Sequence, residues 1–320
     1  MTIRPLTLLV VTALVLAALI ANPAQAGAPK LRAVATVGML TDAVRTIGGD
    51  RVEVTGLMGE GVDPHLYKAS PGDLRLLSTA DIVFGVGLHL EGRMVDALEK
   101  LSRSRRVVLV GQELDHALLR SEDGAHDPHI WFDVTLWSKA LDAVERALVD
   151  ADPAGAETYK ANATVYREKL AVLHEWVKTE IATIPKPQRV LVTAHDAFGY
   201  FARAYDIEVL AIQGVSTDSE ASLRDINALV DTLVTRKIPA VFVESSVPHK
   251  AIDALREGAA ARKHAITIGG ELFSDAMGKA GTEEGTYIGM VRHNVRAIVH
   301  ALKPAESATP TFPPTPATAK

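Results

Sequence analysis

The sequence predicts an α/β protein of two lobes, each a four-stranded parallel sheet flanked by helices, joined by one long linker helix. Three observations carry this. Short β-branched runs alternate with helical patterns along most of the chain, which is the signature of parallel sheets covered by helices. The runs fall into two sets of four. The first and third intervals between their starts are the same in both sets, and the second differs by two residues, as two copies of one βα unit would show. Between the sets, residues 156–184 contain neither Gly nor Pro and carry apolar residues at helical spacing.

Taken in order, residues 1–26 read as a secretory signal peptide. Arg4 precedes an uncharged apolar stretch over 6–20, and Ala24-Gln25-Ala26 supplies a small-x-small cleavage pattern. A membrane anchor is the competing reading, since the stretch approaches spanning length; the placement of the Ala-x-Ala pattern favours cleavage after Ala26. The expected location is therefore the periplasm.

The first lobe, residues 27–153, holds predicted strands at 33–37, 51–55, 82–86 and 106–110. Helices are predicted over 41–47, 71–80 and 93–101. Ser70 can cap the second of these, with Pro71 at its first position and Asp73 three residues after the cap. The linker helix occupies 154–184. Tyr159, Ala163, Tyr166, Leu170, Leu173, Trp176, Val177 and Ile181 form its apolar stripe, and Pro185 ends it. The second lobe, residues 185–303, holds strands at 189–193, 207–211, 240–244 and 264–268, with helices over 219–236 and 250–262. Residues 304–320, rich in Pro, Thr, Ala and Ser without apolar periodicity, read as a disordered tail.

Composition narrows the function. The chain has 320 residues, 34 Lys and Arg, 39 Asp and Glu, and no Cys. Without Cys there are no disulfides, thiolate zinc sites, iron–sulfur clusters, Cys nucleophiles or cysteine-linked lipids. A net charge of −5 supplies no basic excess to meet phosphates, so we expect no nucleic-acid partner.

Of eleven histidines, three stand out. Asp63-Pro64-His65 and Asp127-Pro128-His129 repeat one tripeptide, each after a strand and before a helix. His195 directly follows the first strand of the second half. Asp275 follows the last strand. In open parallel sheets, ligands bind beyond the carboxyl ends of the strands, which is where all four lie. Three imidazoles and one carboxylate suit zinc and its neighbours, and the oxygen also admits manganese. On spacing alone Asp275 stays open between a ligand and an ordinary loop residue. Asp63, Asp127 and Asp196 are candidate acceptors for the free ring nitrogens, with turn formation the competing role for the first two. Glu244 ends a strand facing the cleft and reads as a supporting rather than a ligating group. His89, His174, His249, His264, His293 and His300 read as surface or core residues, and His116 and His126 as members of a solvated loop.

These motifs resemble the metal-specific substrate-binding proteins of ABC transporters, in particular the zinc/manganese TroA-like group. The resembling stretches are 61–67, 127–133, 194–201, 213–217, 243–247, 269–278 and 285–290, and the similarity spans roughly 33–302. The resemblance implies that His65, His129, His195 and Asp275 are the four ligands. It implies that Zn2+ or Mn2+ is transported cargo, delivered to a membrane permease with a cytoplasmic ATPase. Two departures stand out. A long His-rich loop is replaced by His116 and His126 alone, and the third ligand is His195 where many manganese-selective relatives place Glu. We expect a monomer and no enzymatic activity. A secreted zinc-dependent hydrolase is the alternative, but no His-Glu-x-x-His helix is present and four ligands leave no open position for water. A metal-binding adhesin is a further alternative that no motif supports.

Overall fold

The computed structural model describes residues 29–122 and 124–303. The predicted signal peptide and tail lie outside the described residues. Among the described residues, no helix is long and apolar enough to cross a membrane.

In the first half, β1 (Leu31–Ala35), β2 (Val52–Gly56), β3 (Ile82–Gly85) and β4 (Arg106–Leu109) form one parallel sheet in the order β2-β1-β3-β4. Ala33 pairs with both Val54 and Ile82, placing β1 inside the sheet. All four residues of β3 are buried, as a strand covered on both faces requires. The connecting helices are α1 (Gly38–Gly48), α2 (Pro71–Thr79) and α3 (Val95–Ser102). The predicted cap on α2 is formed in full: the Ser70 hydroxyl accepts from Asp73 N, and the Asp73 carboxylate accepts from Ser70 N. A short hairpin follows, β5 (Ser121–Glu122) with β6 (Ala125–His126). The helix expected after His129 is α4 (Val134–Ala151), whose first turn is capped by Asp133.

The linker helix is α5 (Ala156–Ala182), and every predicted stripe residue except the partly buried Trp176 is buried. At its start, Arg51 makes two hydrogen bonds to Asp152, which also accepts from Tyr159 OH. α5 packs against α1, α4 and the last helix, α9 (Tyr287–Leu302).

The second half contains β7 (Val190–His195), α6 (Gly199–Tyr205), β8 (Glu208–Gln213), α7 (Leu223–Arg236), β9 (Ala240–Glu244), α8 (Lys250–Ala261) and β10 (Thr267–Leu272). β7 and β8 pair in parallel, as do β9 and β10, and β7 runs beside β9. In this half two predicted starts move by three residues or more. α7 starts at Leu223, not 219, because Ser222 caps it. β10 starts three residues later than expected, because 263–264 complete the turn that ends α8: Lys263 adopts φ 62° and His264 N donates to Ala259 O. β10 also carries a register shift between Ile268 and Glu271. Gly269 lies in it, so close to the neighbouring helix and strand that an added Cβ would stand 2.7 Å from both Phe242 and Ala301. From Leu31 onward the described residues pack as one unit.

A candidate metal centre at the strand ends

The structure explains why one tripeptide occurs twice. In each copy the Asp carboxylate accepts from the backbone amide of the His two residues later, at 2.8 Å for Asp63–His65 and 2.9 Å for Asp127–His129. The intervening Pro fixes φ, so each turn presents its imidazole in one direction. The two turns then differ. Asp127 Oδ1 also meets His129 Nδ1 at 2.9 Å, orienting the ring, whereas Asp63 Oδ2 accepts from the Thr217 hydroxyl at 2.6 Å. His195 is the last residue of β7, and Asp275 follows β10.

All four predicted residues come together. Each is at most 1% exposed, and one donor atom from each lies within 4.8 Å of the other three. Asp275 stands 3.2 Å from His129 Nε2, 3.2 Å from His195 Nε2 and 3.8 Å from His65 Nε2. Ligands about 2.0–2.1 Å from a tetrahedral zinc stand roughly 3.3–3.4 Å apart, so these separations fit one small cation. The three Nε2 atoms and both Asp275 oxygens are buried without a hydrogen-bond partner. Groups so placed are costly unless something binds them, and a divalent cation satisfies all of them at once.

Supporting groups fix the rings. Glu244 is 1% exposed and serves β7 twice: Oε1 accepts from Ala194 N and His195 N, at 2.7 and 3.0 Å, and Oε2 lies 2.6 Å from His195 Nδ1. Asp196 does not approach a ring nitrogen; it lies beside Glu122, whose carboxyl is pushed up to about 7 by burial and by that neighbour. Sequence reasoning missed the aromatic bolts between distant segments. The Trp131 indole donates to Ser274 O at 3.1 Å, next to Asp275, and packs on His129. Tyr287 OH donates to Trp131 O, and Tyr200 OH to Asp127 O. The signal available was the presence of these aromatics beside the ligand motifs.

Charge is arranged unequally. Burial pushes His65 down to about 4, so it is neutral at pH 7. Burial also opposes charging of His129, but Asp127 and Asp275 outweigh it and raise that ring to about 9. For His195, Glu244 and Asp275 likewise overcome burial and hold it well above its usual range. Burial alone would raise Asp275, but the adjacent His195 and His129 hold it well below the usual carboxylate range. A cation bound by these donors would therefore displace protons from His129 and His195 at neutral pH, but not from His65. For groups raised in this way, protons compete more strongly as pH falls. The affinity for zinc should weaken between about pH 8 and about pH 6 by about tenfold per unit for each proton displaced. Calorimetry in buffers of different ionisation enthalpy counts those protons, and an affinity that is flat over this range contradicts the assignment.

A parallel-stranded α/β fold closing four donors over a space the size of one ion is the build of a solute-binding protein for a small cation. The comparisons agree. The chain belongs to the family described as ZnuA, zinc-uptake complex component A, periplasmic, whose profile matches residues 33–301. It is 49% identical over 276 residues to the manganese-binding lipoprotein MntA of Bacillus subtilis (strain 168), covering 86% of this chain and 90% of that one. It is also 49% identical over 270 residues to the zinc-binding protein TroA of Treponema pallidum (strain Nichols), covering 84% and 88%. The solved structure of the periplasmic zinc-binding protein TroA from Treponema pallidum superposes with a TM-score of 0.85 at 48% identity, over 86% of this chain and all of that one.

Proposed function

We propose that this chain is the substrate-binding component of an ABC importer. It captures Zn2+ or Mn2+ with His65, His129, His195 and Asp275 and delivers it to a membrane permease driven by a cytoplasmic ATPase. The observation that carries this is the closed donor set, supplied by four segments far apart in sequence. All four donors belong to one chain, so the proposed unit is a monomer. It works outside the cytoplasmic membrane, with residues 27–153 and 185–303 as lobes about the 154–184 linker. The donors favour zinc intrinsically, because manganese sits lowest in the divalent series and three of the four ligands are nitrogen. The two relatives at 49% identity are named for manganese and for zinc, and both metals remain within the proposal.

Carriage is favoured over hydrolysis by the state of the nearby carboxylates. Asp127 accepts from the His129 amide and orients that ring, and Glu244 accepts from two amides and lies against His195 Nδ1, so each carboxylate is committed to holding a donor ring in place. Calorimetry on purified protein should show one zinc or manganese ion bound per chain, with zinc the tighter in direct competition. Metal analysis of protein taken from its native compartment then identifies the cargo. Absence of stoichiometric binding of either ion would overturn the proposal.

A further inference from the structure

The two sides of the candidate metal centre are joined differently. On the His129 side, the first and second halves are bolted by buried aromatic contacts: Trp131 to Ser274 O, Tyr287 to Trp131 O, and Tyr200 to Asp127 O. On the His65 side, the described residues from 56 to 95 make two polar side-chain links to the second half outside the donor cluster, besides the packing of Gly61 against the Ser245 backbone. The Thr217 hydroxyl donates to Asp63 Oδ2 at 2.6 Å, and Arg93 faces Asp218 at 3.6 Å with both side chains about half exposed. Both partners sit on one loop, residues 214–221, which carries no helix or strand. That loop also lines a cavity of about 150 Å3 beside His65, through Val215 and Ser216, with His89 and Pro128 among the other walls.

All four donors are buried, so a cation cannot reach or leave them without a local opening. The aromatic side offers several buried hydrogen bonds to break, and the His65 side offers one hydroxyl–carboxylate bond and one exposed ion pair, the latter worth little. Asp63 holds the His65 amide with its other oxygen. The Thr217 bond therefore reaches the imidazole through a single rigid turn. A charge-assisted hydrogen bond of this kind is among the stronger side-chain contacts.

From this asymmetry we propose that the 214–221 loop is the strap that opens to admit and release the cation, and that Thr217 is a positioning residue holding His65 closed through Asp63. This rests on the metal-carrier reading above. Thr217 touches no donor atom; it acts on when His65 is available, and so on the rate of release.

The test is a stopped-flow chelator chase on zinc-loaded full-length protein. Thr217→Val keeps shape and removes the hydroxyl. It should raise the zinc dissociation and association rates together, each about tenfold, because entry and exit use the same opening, and Thr217→Ser should restore the wild-type rates. A defect of packing alone would not be rescued by serine. Release from Thr217→Val at the wild-type rate, or equally fast release from Thr217→Ser and Thr217→Val, overturns the strap. Hydrogen exchange on the unaltered protein gives an independent reading. Zinc loading should slow exchange in the 214–221 segment more than in 129–133, and the reverse order overturns the proposal. Wild-type protein that binds no zinc defeats the carrier reading itself, whereas normal binding with unchanged release defeats only the strap.

Discussion

Replacing His129 with alanine should raise the dissociation constant for zinc by at least about a hundredfold. Four-ligand structural zinc sites carry apparent binding free energies of about 10–16 kcal/mol, so one ligand averages roughly 3 kcal/mol, which corresponds to that factor. His129 should lie at or above the average, because its ring is fixed from behind by Asp127 and held against Trp131. Alanine also leaves a cavity at a fully buried position, so the metal-free variant will melt lower for reasons unrelated to the ion. Asp275→Asn avoids that complication, since it keeps the shape and removes only the charge. Asp275 is the sole carboxylate among the four donors, and its loss leaves the dipositive ion with no compensating ligand charge. Calorimetry on both variants is the check. Near-native affinity in both, with correctly folded protein, would falsify the assignment of these residues as ligands.

How much of this was legible in the sequence differs between backbone and site. Strand and helix alternation could be read because β-branched runs and 3.6-residue periodicity are local properties. The capping box at Ser70 and Asp73 was local in the same sense. The start of β10 was not, because the turn through Lys263 and His264 is decided by how α8 ends against its neighbours. His65 and His129 could be singled out because the Asp-Pro-His turn is complete within three residues. Asp275 could not be separated from an ordinary loop residue by spacing, since its role depends on three side chains brought from elsewhere; only the family resemblance pointed to it. Thr217 lies 154 positions from Asp63, and Trp131 lies 143 from Ser274. No periodicity records such contacts, and only the closed fold reveals them.

Glu244 shows how far a residue beyond the donors can control them, and Glu244→Gln should weaken zinc binding by about 10- to 100-fold while leaving the fold nearly intact. The carboxylate has three obligations: Ala194 N and His195 N on one oxygen, His195 Nδ1 close to the other. A glutamine can meet the first two with its carbonyl oxygen, so the end of β7 stays closed. Its NH2 group then faces Nδ1 and forces that nitrogen to accept. The neutral imidazole must carry its proton on Nε2, the atom that faces Asp275 and is needed for the cation. Binding then requires a change of tautomer and loss of the contact to residue 244. Glu244→Ala should behave differently. It strips all three partners, and each buried donor left unpaired costs about 1–3 kcal/mol, so thermal stability and affinity should fall together. Comparing the melting temperature of the metal-free protein with the zinc dissociation constant separates the two cases. If Glu244→Gln binds zinc like the unaltered protein, the ring of His195 is not oriented through its Nδ1, and the carboxylate serves only to close the strand end.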